Sequence, residues 1–377
     1  MEDVNGSNTS CFIGCFTRDY GDLVAADHHD VPMYHGTGTR SAIMSHRISR
    51  FFNMKGPSFS LDTACSSSMV ALHLACQSMR NGESNMSVVG GINLLLMPDV
   101  MGAMTTLKFV SPVGRCQAFD HRADGYSPGE GAAFCVLKPL HLAVKNGDVI
   151  RGIIRDTAVD QDGNTPGLMV PSAKAQEDLI RRVYEETGLP LADTPYVEVH
   201  GTGTPAGDAV EAMALGATFG RARVGKGPLY MGSVKSNIGH LEGASGIVQL
   251  VKAVMMLEKG QVPPSIWYEK PNPRIPLEKW NLAVPTELIN WPAQGFRRIS
   301  INSFDYGGTN AHCIVDGVSD YFQTHRIYNH LTLPAGPSSG RRGVWLELEY
   351  DPRVNRPRLR LRHCSEHHHG GTEGVGQ

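Results

Sequence analysis

The chain has 377 residues, a formal net charge of −2, 41% hydrophobic residues and 19% charged ones. That is long enough for two domains around a sizeable core, and the balance is ordinary for a globular protein. It offers no basic surplus for nucleic acid, no apolar run of membrane-spanning length and no secretory leader in residues 1–10, and its eight cysteines without CxxC spacing predict neither a disulfide framework nor a zinc site but a reducing, cytoplasmic setting.

In chain order, the apolar run CFIGCF at 11–16 reads as a buried strand. The stretch SLDTACSSSM at 60–69 then sets Cys65 between a strand-like run and a serine cluster, where a helix over 66–80 begins and Asn81-Gly82 stops it. Further strands are predicted at 87–96, 132–140 and 149–160. An amphipathic helix over 172–188 carries Leu179, Ile180 and Val183 on one face and ends at Gly188 before Pro190. A short strand at 196–199 runs into His200 within VEVHGTGTPAGD. The motif GSVKSNIGHLEGASG puts Lys235 and His240 in a similar strand-end position, with a helix to follow over 243–258. Strands alternating with helices predict a layered α/β fold. Beyond Asp316 the periodicity is lost, and 317–377 reads as a divergent, disordered tail. Its arginines and the run His367-His368-His369 read as solvated chain rather than as a nucleic-acid or metal site.

Cys65 has two readings. As free cysteine it is a small buried hydrophobe. At the N-terminus of a helix, after a strand, it is a nucleophile, its pKa lowered by the positive helix end and its neighbouring N–H groups aimed at an oxyanion. Two histidines, each at a strand end inside a Gly-rich turn, fit a shared cleft with that thiol. The earlier HGTGT at 35–39 lacks the preceding strand and carries no such weight.

Together DTACSSS, HGTGTPAGD, VKSNIGHLEGASG and NSFDYGGTNAH resemble the β-ketoacyl synthase domain of fungal-type highly reducing iterative polyketide synthases, over about 10–314. The resemblance implies a thiolase-like fold of two similar halves in α-β-α-β-α layers. The first half would span 1–147 with Cys65, the second 148–316 with His200, Lys235 and His240. It implies a decarboxylative Claisen condensation. Cys65 takes the acyl group as a thioester, His200 and His240 act on a malonyl-type extender, and Lys235 orients the histidines. The backbone N–H groups of Cys65 and Tyr306 form the oxyanion hole. Thr202 and Thr204 either hold the phosphopantetheine arm or only close turn hydrogen bonds. No bound cofactor and no metal are implied. The partners are a carrier protein bearing acyl and malonyl groups, a separate acyltransferase and a second copy of the chain, with no nucleic acid or membrane.

Three departures qualify this. The family's opening strand is missing from the first half, and it is expected to be central in its sheet, so that its loss leaves ladder groups unpaired. Asp305 stands where the family has glycine, in a loop that supplies an oxyanion donor. It is expected either to oppose negative charge there or to point to solvent. No acyltransferase or carrier segment follows. The alternatives are therefore a working condensing enzyme, an inactive truncated remnant and, less well matched, a thiolase.

Overall fold

Apolar runs separated by glycine-rich junctions become buried strands. The computed structural model describes residues 4–27, 29, 31–292, 295–327 and the backbone of 345–346. In chain order the strands are β1 (Thr9–Cys15), β2 (Ser58–Leu61), β3 (Met86–Asn93), β4 (Gly131–Leu137), β5 (Ile153–Gln161), β6 (Tyr196–Glu198), β7 (Leu229–Gly232), β8 (Gln261–Val262), β9 (Leu282–Ala283), β10 (Ile289–Asn290), β11 (Arg298–Ser303), β12 (Thr309–Asp316) and β13 (Trp345–Leu346). They form two large sheets, ordered β13-β4-β3-β1-β2 and β5-β12-β11-β6-β7-β9, with β8 and β10 as a small ribbon.

The two sheets repeat one plan. β4 runs antiparallel to β3, as β12 does to β11, and β1–β2 run parallel to β3 as β6–β7 do to β11. β1 (TSCFIGC) is buried along its whole length, as a parallel strand covered on both faces must be. This repeat corrects the expectation about the opening strand. β5, which opens the second half, lies at a sheet edge and among the described residues pairs with β12 alone, so its counterpart position in the first half is the outer side of β4. An edge position leaves one row of ladder groups rather than two. In the structure β13 pairs there with Val136 and Leu137. β4 alternates half-buried and exposed residues over 131–134 before Cys135 and Leu137 are buried, whereas β12 is almost wholly buried.

Helices Ser67–Arg80 and Ser245–Lys259 form the middle layer and touch both sheets. The first carries Met69, Val70, Ala71, Leu72, Ala75 and Cys76 around its circumference, and a helix that is apolar all round has to be buried. Gly246 lets the pair approach, since a Cβ there would lie 2.7 Å from Met69 N. Helix Ala42–Phe51 covers the outer face of the first sheet, and helices Ala173–Thr187 and Gly207–Leu215 cover that of the second, giving the five expected layers. Ser172 caps the 173–187 helix by accepting from Ala175 N at 3.1 Å, and Gly188 ends it at φ 65°.

The expected tail starts later than Asp316. Helix Val318–His325 follows at once, because Tyr321 is buried against Leu140, Ile150 and Ile153. Beyond Ile327 that segment, including the triple-histidine run, lies outside the described residues apart from the backbone of β13.

Candidate active site

Cys65 sits in a 3₁₀ turn, Ala64–Ser66, between β2 and the Ser67–Arg80 helix. Ala64 takes a left-handed φ of 46°, the kind of strained junction that thrusts the next side chain out of the strand–helix turn. His200 follows β6 in the predicted turn. His240 lies farther from its strand than expected. β7 ends at Gly232 and a short helix, Lys235–Ile238, intervenes before Gly239 turns the chain at φ 77°.

Cys65, His200, His240, Thr202 and Thr204 line one cavity of about 300 Å³, with Tyr306 on its wall. The two imidazoles meet edge to face with centroids 5.6 Å apart. Sulfur, a His240 ring nitrogen and a Glu242 carboxylate oxygen all lie within 4.8 Å of one another. Lys235 does not face the cavity. It is 1% exposed and its Nζ donates to His200 O at 2.7 Å, bracing the turn from behind. Glu211 braces the same turn by accepting from His200 N at 2.8 Å and Gly201 N at 2.9 Å. Thr202 and Thr204 share a hydrogen bond of 3.1 Å.

The surroundings fix the tautomers. Phe304 N–H donates to His200 Nδ1 at 3.3 Å, while Glu242 N–H at 3.0 Å and the Ser245 hydroxyl at 2.8 Å meet His240 Nδ1. A backbone N–H can only donate, so each Nδ1 is an acceptor and each Nε2 carries the proton. Burial, then the positive Lys235, holds both imidazoles well below their ordinary pKa, so they are neutral donors. His240 Nε2 is buried without a hydrogen-bond partner. A Cys–His–Glu trio is chemically a metal-ligand set, but a ring nitrogen that carries a proton has no lone pair for an ion. The tautomer argues against a metal at this cluster.

The thiol does not behave as the helix-terminus argument predicted. Burial first, then the neighbouring Glu242 and Asp305 carboxylates, push its pKa well above the ordinary value. Desolvation and two acidic neighbours outweigh the favourable helix end. Cys65 is a resting thiol, donating to Glu242 Oε2 at 3.3 Å.

Asp305 turns inward rather than to solvent. Its backbone is not left-handed, so a side chain sits there without backbone strain. Its carboxylate accepts from Gly307 N at 2.8 Å and is stabilised by the N–H groups of Tyr306 and Cys65, the two amides expected to form the oxyanion hole. Burial outweighs these amides and raises its pKa to about 6.

Glu242 is the residue that sequence reasoning passed over. It stood two places after His240 in a quoted motif, and nothing local marked it as a neighbour of a cysteine 177 residues away. The cavity walls also include Met104, Leu107, Phe109 and Met169, an apolar lining suited to an acyl chain.

The sequence matches the family descriptions "Beta-ketoacyl synthase, N-terminal domain" over residues 1–143, "Beta-ketoacyl synthase, C-terminal domain" over 151–269 and "Ketoacyl-synthetase C-terminal extension" over 271–333. The chain therefore belongs to the β-ketoacyl synthase family. Its similarities fall among the ketosynthases of polyketide synthases. It is 50% identical over 321 residues to the highly reducing polyketide synthase ausV of Aspergillus calidoustus, covering 85% of this chain and 13% of that protein. It is 45% identical over 379 residues to the reducing polyketide synthase FUB1 of Gibberella moniliformis, covering 100% of this chain and 16% of that protein. Among solved structures, the ketosynthase from module 6 of the Bacillus subtilis 168 bacillaene synthase superposes with a TM-score of 0.79 at 38% identity. That match covers 84% of this chain and 55% of the other. The chain thus spans about an eighth of the length of the first of these curated relatives. No helix among the described residues is long and apolar enough to cross a membrane.

Proposed function

We propose that the cavity carries out decarboxylative Claisen condensation in polyketide biosynthesis. A carrier-bound acyl group passes to Cys65: the new S–C bond forms at sulfur, the bond to the phosphopantetheine sulfur breaks, and the Cys65 proton ends on that leaving thiol. A malonyl-type extender on the carrier then loses CO₂. The enolate oxygen accepts from the Nε2–H groups of His200 and His240. Its carbon attacks the Cys65 thioester, the S–C bond to Cys65 breaks, and the departing thiolate takes a proton from water as the β-ketoacyl product leaves. Two pre-aimed neutral donors stabilise charge that exists only during reaction, the usual source of large rate gains. Lys235 positions His200 through its carbonyl. Thr202 and Thr204 border the same space and would receive the arm. Lys108 and Arg274, also on the cavity wall, suit the arm's phosphodiester.

The observation that carries the reading is the tautomer pair: two buried Nδ1 acceptors leave two Nε2–H donors at the cavity that holds the thiol. On this reading the partners are a carrier protein, an acyltransferase and a second copy of the chain, the setting is cytoplasmic, and no cofactor beyond the carried phosphopantetheine takes part. The halves divide near 147, and the second runs past 316 to include the Val318–His325 helix. One observation favours the other reading, an inactive remnant: the Asp305 carboxylate borders the cavity, and its charged form is favoured by both expected oxyanion donors.

The test is incubation with an acyl thioester of N-acetylcysteamine, followed by intact-protein mass. A single acyl adduct that disappears in Cys65→Ala is expected. A folded wild-type chain that takes no adduct at any pH between 6 and 9 overturns the reading in favour of the remnant.

A further inference from the structure

We propose that Glu242 is a catalytic base for Cys65: its carboxylate takes the thiol proton as the sulfur attacks the incoming thioester and returns it to the departing carrier thiol. This deepens the condensing reading and rests on it. The bond made is Cys65 S–C, the bond broken is carrier S–C, and one proton travels from Cys65 through Glu242 to the leaving sulfur. No oxidant, metal or added reactant is needed.

Geometry carries the assignment. Glu242 Oε2 is the hydrogen-bond acceptor of the Cys65 sulfur at 3.3 Å, whereas both imidazoles present protons rather than lone pairs to the cavity. A neutral Nε2–H cannot accept the thiol proton, so the carboxylate is the acceptor in contact with it. The chain strains itself to hold the group there. Glu242 has a left-handed φ of 40°, costly for a residue with a long side chain. It occupies the same place before the Ser245–Lys259 helix that Ala64, at φ 46°, occupies before the Cys65 helix. The repeated turn of the second half thus delivers a carboxylate to the nucleophile of the first. Its other oxygen, Oε1, is buried without a hydrogen-bond partner.

The charge balance agrees. A thiol whose pKa stands well above 9.0 supplies almost no standing thiolate at neutral pH and needs a base at the moment of attack. Burial lifts Glu242 to about 7, while Tyr126, Cys65 and Lys235 favour its charged form and Asp305 opposes it. His240 faces it as a neutral ring. A base near the working pH is best matched to the task.

Acylation of wild type, Glu242→Gln and Cys65→Ala is followed by intact mass from pH 5.5 to 9.5. Iodoacetamide alkylation of Cys65 is followed in parallel. The wild-type acylation rate should show an inflection near 7 that Glu242→Gln lacks. The variant should be about 10²-fold or more slower at pH 7 and gain on wild type as pH rises, because thiolate then forms without a base. Alkylation of the variant at pH 9.5 at least as fast as wild type shows an intact pocket. Equal slowing at every pH, or acylation within twofold of wild type at pH 7, overturns the proposal. If the variant does not fold, the wild-type profile decides: a featureless rise through pH 7 overturns it. An adduct that depends on Cys65 but not on Glu242 leaves the condensing reading intact, so the two fail separately.

Discussion

Replacing Asp305 with asparagine removes one charge at nearly constant volume from beside the amides of Cys65 and Tyr306. When the acyl carbonyl is attacked, its oxygen becomes negative against those same amides. At about 4 Å and an effective dielectric near 20, a neighbouring carboxylate costs that oxyanion about 4 kcal/mol. The cavity opens to solvent and the loop can relax, so roughly half survives, about 2 kcal/mol or about thirtyfold in rate. The penalty exists only when Asp305 is ionised. With a pKa of about 6, it is charged at pH 7.5 and largely protonated at pH 5. The ratio of Asp305→Asn to wild-type acylation should therefore climb from near one at pH 5 to about fifteenfold at pH 7.5 and approach about thirtyfold at higher pH, because the few chains still protonated at pH 7.5 carry roughly half of the wild-type rate. Taking the ratio cancels the titration of Glu242 to first order. The residual effect has a known direction: Asp305 raises Glu242, so the variant's inflection should move to lower pH. Acylation by an N-acetylcysteamine thioester, read by intact mass, measures both. A ratio that stays near one at pH 7.5, or that does not change with pH, refutes the claim that this carboxylate opposes charge at the oxyanion site. Asp305→Gly, which restores the family's residue, should match asparagine if charge alone is responsible.

Two structural predictions accompany those for Cys65, Glu242 and Asp305. Gly246→Ala drives a Cβ to 2.7 Å from Met69 N and Met69 Cβ, where the two middle helices cross. It should cost about 1–3 kcal/mol by denaturant unfolding and slow acylation, since the helix behind Cys65 must shift; a stability within 0.5 kcal/mol of wild type contradicts that crossing. Asp316 is fully buried and receives Arg298 Nε at 2.7 Å and Nη2 at 2.9 Å together with Arg155 Nη1 at 2.6 Å. Asp316→Ala removes the buried carboxylate that two guanidinium groups share and should destabilise by about 3–5 kcal/mol, with a thermal shift rather than a changed pH profile as its signature; a melting temperature unchanged within a degree sinks it.

The sequence alone was enough for whatever depends on nearby residues. The circumferential apolar run after Cys65, the capping Ser172 and the closing Gly188 mark helices because helical period and caps are local features. The wholly apolar CFIGC marks a covered strand for the same reason. Three short motifs named Cys65, His200, Lys235 and His240, and these converge on or brace one cavity. The edge position of the opening strand, the helix after Asp316 and the inward turn of Asp305 were not legible, since sheet order and burial arise from segments far apart in the chain. The ionisation of the site is the clearest case. A helix end argued for a ready thiolate, yet desolvation and two carboxylates brought in by folding make a thiol, and backbone amides from elsewhere decide which nitrogen of each histidine holds its proton. Residue types and their spacing set which groups could react, whereas dielectric and proximity, properties of the assembled fold, set which proton each one holds.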